Sequence, residues 1–139
     1  MLPIILQHAD FVVINKPAGL AVHRDENESG LTEQLAAQLG VPRVWLVHRL
    51  DKATSGVLLL ALNARAAAEL GAAFAEKRVQ KTYWALSDSK PAKKQGRIKG
   101  GMEKSRRGAW KLTRGNENLA LTDFTTRSLA PKLRLFVLT

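Results

Sequence analysis

Apolar side chains recur along this chain with two different periods, and the switches between them set out the elements. Residues 4–6 and 11–14 read as short strands, with His8, Ala9 and Asp10 turning between them. Asn15, Lys16, Pro17, Ala18 and Gly19 then form a tight loop, in which Pro17 holds Lys16 extended and Gly19 is free to take a positive φ. Leu31, Leu35 and Leu39 repeat every four residues, the spacing of one apolar stripe on a helix, and Gly40 and Pro42 stop that helix. Residues 44–47 read as a strand. Residues 57–62 are a nearly continuous apolar run, which predicts a strand buried on both faces.

Asn63 is placed to cap a second helix, with Ala67, Leu70 and Phe74 along one side and Lys77 and Arg78 near its end. Residues 80–86 alternate as a strand: Lys81, Tyr83 and Ala85 face one way, Thr82, Trp84 and Leu86 the other. Residues 119–128 and 133–138 read as two more strands joined around Ala130 and Pro131. There is no internal repeat. Strands with two interspersed helices, followed by a strand-rich end, predict an α+β fold: a mixed, largely antiparallel β-sheet with flanking helices. The sequence stops at Thr139, directly after a strand with Leu133, Leu135 and Val137 on one face. Such an element usually needs a cover, so residues 1–139 are expected to be a single domain that is cut short.

Composition narrows the class. With 139 residues, 45% hydrophobic and 24% charged, the chain is expected to fold around one modest core. It has no cysteine, which excludes disulfides and fits a reducing cytoplasm, the expected location. With three scattered His and no Cys, no structural zinc or other metal is expected. No apolar run is long enough to span a bilayer, so no membrane partner is expected.

Charge adds a direction. Lys and Arg outnumber Asp and Glu by 22 to 12, a net charge of +10 that favours encounter with polyanions. Residues 90–114 hold Lys90, Lys93, Lys94, Arg97, Lys99, Lys104, Arg106, Arg107, Lys111 and Arg114 against the single acid Glu103, punctuated by glycines. A basic, glycine-rich insert of this kind suits a mobile loop or hairpin that follows a phosphate backbone. A solvated face with no partner is an equally good reading of charge alone.

The densest chemistry lies at His48-Arg49-Leu50-Asp51-Lys52-Ala53-Thr54-Ser55-Gly56, a loop between two predicted strands. Loops held by rigid strands are where catalytic groups concentrate. Arg49, Lys52 and His48 surround the Asp51 carboxylate; such cations keep it ionised, and one of them could meet a phosphate. Thr54 and Ser55 can bond the loop backbone or the carboxylate, and Gly56 permits a sharp turn. For an arbitrary string of this composition, an aspartate capping its own turn is the better reading.

The stretch HRLDKATSGVLLLAL resembles the signature of the RluA-like pseudouridine synthases, in both its polar and its glycine positions. VVINKPAGLAVH upstream resembles the family's NKPxG segment, and VQKTYWAL downstream its K-x-Y-x-A strand, in the family's order and spacing. These motifs anchor residues 1–86; beyond them only the strands of residues 122–137 fit the family. The resemblance implies that Asp51 is the catalytic aspartate and that Tyr83 stacks on the target uracil. It also implies that Arg49 helps displace the base, that Lys81 lies near the site on the Tyr83 strand face, and that His48 shapes the loop. Lys16, Lys52, Arg97, Lys104, Arg106 and Arg107 are the expected RNA contacts.

The reaction so implied isomerises uridine within RNA and needs no cofactor. Ribosomal RNA is favoured as partner by the frequency of that substrate in the family, with transfer RNA the alternative. The family's third segment, resembling GRTHQIR, does not occur in these 139 residues, and its arginine pairs with the catalytic aspartate. The 139 residues alone are therefore expected to have little or no synthase activity. The competing reading is a non-catalytic RNA-binding module derived from a synthase. A phosphodiesterase using Asp51 and His48 is a distant third, because the loop offers no second carboxylate.

Overall fold

Val12, Ile14 and Lys16 alternate with outward residues along one strand, and all three are buried. That alternation organises the first half of the computed structural model, which describes residues 1–23, 30–115 and 119–139. Strands β1 (Ile4–Gln7), β2 (Phe11–Lys16), β3 (Trp45–Leu46) and β4 (Gly56–Ala61) form an antiparallel sheet in the order β1-β2-β4-β3. Val12 lies opposite Leu60 and Ile14 opposite Leu58, so the buried residues of both central strands share one face. Helix α1 (Leu31–Leu39) adds Leu31 and Leu35 to the core, as the four-residue spacing predicts. Gly40 ends it in the left-handed region at φ 67°. Helix α2 (Ala64–Ala75) begins at Asn63, whose Oδ1 accepts the Ala66 N–H at 2.8 Å. It packs against β3 and β4. The expectation that residues 57–62 are buried on both faces is corrected: Val57 is 64% exposed while Leu58 and Leu60 are fully buried. A central antiparallel strand needs only one covered face.

Contacts divide the chain into two compact units, Met1–Val79 and Gln80–Thr139. The second is a five-stranded antiparallel sheet of β5 (Tyr83–Ser87), β6 (Gln95–Lys104), β7 (Trp110–Thr113), β8 (Ala120–Ala130) and β9 (Leu133–Leu138), in the order β5-β9-β8-β6-β7. The basic insert is thus a hairpin, β6 and β7, joined by a short 3-10 turn at Arg106–Gly108 and continuous with the sheet. Register puts Tyr83, Leu138, Phe124 and Gly96 in one row, and Trp84, Val137 and Thr125 on the opposite face. A Cβ on Gly96 would come within 3.2 Å of the Phe124 ring, so the missing side chain lets the ring lie close over the strand without shifting. The strand predicted from residue 80 begins instead at Tyr83, which leaves Lys81 ahead of it.

Candidate active site

The loop that carries Asp51 is fixed at both ends and in the middle. At its start, the His48 ring stacks on Phe74 of α2, with centroids 4.2 Å apart and planes 5° apart. His48 Nε2 also accepts the Leu59 N–H at 2.9 Å, which ties the loop entrance to β4. Leu50 points into the core, while Arg49, Asp51 and Lys52 on either side of it are exposed. The Thr54 N–H donates to the Asp51 carbonyl at 3.0 Å, closing a turn that Asp51 opens and that has Lys52 and Ala53 at its apex. Gly56, at φ +135°, makes the sharp entry into β4, a conformation that side chains other than glycine rarely adopt.

The middle of the loop is held from the other motif. Lys16 is fully buried, and its Nζ donates to the carbonyls of Pro17 at 2.9 Å, Leu20 at 2.7 Å and Lys52 at 3.2 Å. The Lys52 carbonyl also accepts the Gly19 N–H at 2.7 Å, with Gly19 at φ 89°. The NKPAG loop is therefore wrapped around an ammonium that bonds directly to the backbone next to Asp51. Burial pushes the Lys16 amine below its ordinary range, and the nearby Asp51 charge opposes that shift. Lys16 was expected to meet RNA; its placement corrects this, because an ammonium enclosed by three carbonyls presents no charge to a phosphate.

His48, Arg49, Asp51, Lys52 and Lys16 belong to the first unit; Lys81, Tyr83, Arg97, Lys104, Arg106 and Arg107 belong to the second. Tyr83 is half-buried at the start of β5, opposite Leu138, and Lys81 is exposed. Arg97, another expected RNA contact, is exposed and paired within the sheet. Its Nε and Nη2 donate to the two carboxylate oxygens of Asp123 at 2.6 and 3.1 Å, across the β6–β8 ladder. The hydrogen bond and charge of each hold the Arg97 guanidinium above its usual range and the Asp123 carboxyl below its own. Asp123 was invisible as a partner in the sequence, because register between strands this far apart is not written locally. Lys104 ends β6, and the exposed Arg106 and Arg107 form the turn beyond it, with Arg107 at φ 58°. Among the described residues, no three His, Asp or Glu side chains converge as metal ligands, and no helix is long and apolar enough to cross a membrane.

An antiparallel α+β scaffold with a solvent-facing aspartate on a loop braced by a second motif defines the class. Its family follows from comparison. The sequence profile described as RNA pseudouridylate synthase matches residues 10–135. A protein of Haemophilus influenzae called an uncharacterized RNA pseudouridine synthase is 57% identical over 135 residues, which covers 97% of this chain and 60% of that protein. The ribosomal large subunit pseudouridine synthase C of Rickettsia bellii is 40% identical over 124 residues, covering 86% of this chain and 41% of its own length. The solved structure of human RNA pseudouridylate synthase domain containing 4 superposes with a TM-score of 0.77 at 29% identity, over 98% of this chain and 57% of that one. The chain belongs to the RNA pseudouridylate synthase family, and it spans 60% or less of the length of these three relatives.

Proposed function

We propose that this chain carries the catalytic-aspartate portion of an RNA pseudouridine synthase that acts on ribosomal RNA. The observation that carries the reading is the exposed Asp51, on a loop whose neighbouring carbonyl is clamped by Lys16 and Gly19. A group that must reach the sugar of a nucleotide needs to be accessible, and it needs to be held still.

The chemistry follows from those requirements. A uridine in a helix hides its glycosidic bond, so it must swing out of the stack. Arg49, adjacent to Asp51 and exposed, is suited to displace the base and occupy its place. Asp51 acts on the ribose, and the nitrogen–carbon glycosidic bond breaks. The uracil, held against the Tyr83 ring, rotates and rejoins the sugar through a carbon–carbon bond; that ring carbon gives up its proton and the freed ring nitrogen ends protonated, so the product is an isomer. Catalysis rests on the positioning of the Asp51 carboxylate, and the basic residues supply RNA affinity.

The test is a chimera in which this chain replaces the matching stretch of the Haemophilus influenzae relative, whose unaltered form serves as the positive control. With large-subunit ribosomal RNA or transfer RNA as substrate, the chimera is expected to form pseudouridine. Asp51→Ala should lower the rate by more than about a thousandfold and change RNA affinity by less than about twofold. Loss of binding in parallel with turnover would reassign Asp51 to RNA contact and favour the binding-module reading. Turnover of transfer RNA alone would overturn the ribosomal assignment.

A further inference from the structure

We propose that residues 80–139 grip RNA at two points roughly 30 Å apart, a distance set by the length of β6 at about 3.3 Å per residue. The inference rests on the RNA reading above and adds a second contact cluster to it.

The charge of the chain is divided along the same line as its contacts. Residues 1–79 carry eight Lys and Arg against eight Asp and Glu, whereas residues 80–139 carry fourteen against four. The whole excess of +10 therefore sits on the second unit, whereas the Asp51 loop belongs to the first. One concentration is the hairpin turn with Arg106 and Arg107, at the far end of β6. The other is assembled by the sheet at the near end. Lys93 and Lys94 immediately precede β6, and the Lys94 carbonyl accepts both the Thr126 N–H at 2.8 Å and the Thr126 hydroxyl at 2.9 Å. This brings Lys94 beside Arg127. Ser128 pairs with Arg134, and Lys132 lies in the turn that joins β8 to β9. Five cations scattered from position 93 to position 134 thus lie at one end of the sheet, Arg127 on one face and Arg134 on the other, with Asp88 following the Ser87–Arg134 pairing.

Between the two ends most cations along β6 and β7 are matched with acids: Asp123 takes the Arg97 fork, Glu103 lies 3.8 Å from Lys111, and Lys99, opposite Leu121, is exposed between them. Two exposed positive ends, with Arg97 and Lys111 between them already paired, suit a polyanion that spans both. Each end alone holds few phosphates and binds weakly; together they raise affinity through effective concentration. The substrate is accordingly an RNA long enough to reach from one end to the other.

The experiment uses the 139-residue chain and fluorescence anisotropy across a salt series, with one RNA that spans both ends and one too short to do so. Two variants are compared: Lys94→Gln with Arg127→Gln and Lys132→Gln, and Arg106→Gln with Arg107→Gln. Each should weaken the long RNA at least about tenfold and lower its salt slope by about two, while changing the short RNA by no more than about twofold. Thermal melting should match the parent, because the replaced side chains are exposed; single Lys132→Gln gives the same comparison should the triple variant misfold. A near-end variant that binds the long RNA like the parent overturns the two-point grip and leaves the hairpin as the contact. Equal losses for long and short RNA overturn it in favour of one patch. A parent chain that binds neither RNA removes the RNA reading and the grip together.

Discussion

A lysine ringed by carbonyls and a lysine at a phosphate are the same letter with opposite surroundings. Lys16 is the first kind: its ammonium joins Pro17, Leu20 and Lys52, two segments 36 residues apart. Lys16→Met removes three charge-assisted hydrogen bonds to part-buried carbonyls, and should cost about 2–3 kcal/mol in chemical denaturation. In the chimera, turnover should fall because the Asp51 loop is no longer held, with the salt slope of RNA binding unchanged. A slope lower by about one would mark Lys16 as a phosphate contact after all. Asp51, Arg49 and Lys52 were legible as a cluster because they are adjacent in the chain and lie between two readable strands. That Lys16 braces them was not legible, since burial depends on which loop closes over a side chain.

The strands teach a similar lesson about register. Periodicity located seven of the nine described strands, all but β6 and β7, yet β5 starts three residues later than its alternation suggests, because its partner β9 ends at Leu138, opposite Tyr83. The basic insert reads as loop or hairpin in the sequence, and pairing with β8 made it a hairpin within the sheet. That pairing also sets Arg97 opposite Asp123. Because the folded-state Asp123 carboxyl lies below its ordinary value, the pair contributes stability above the usual carboxylate range, and the contribution is lost as pH falls through the lowered value. Asp123→Asn should therefore melt below the parent at neutral pH and converge with it in acid. Equal melting temperatures at neutral pH would show that the exposed pair adds nothing measurable, as many such pairs do.

At the scale of the molecule, chemistry and charge lie in different units. The neutral first unit holds the Asp51 loop, and the second unit carries the whole net charge of +10. The second unit also leaves apolar side chains open: Trp84 is 76% and Leu86 65% exposed, on one face of β5. Neighbouring exposed apolar residues on an edge strand promote self-association. Trp84→Ser with Leu86→Thr should lower the light scattering of the concentrated chain without lowering its melting temperature. A drop in stability would show that the two side chains support the fold instead.

The order of elements, the helix stripe of Leu31 and Leu35, the Asn63 cap and the position of the Asp51 motif were all determined by the sequence itself. Each depends on residues within a few positions of one another. Only tertiary structure decided that Lys16 is enclosed, that Arg97 is paired, and that Lys94, Arg127 and Lys132 share one end of a sheet. Those properties belong to partners 26 to 38 positions apart, and local pattern has no means of naming a partner until the chain has folded.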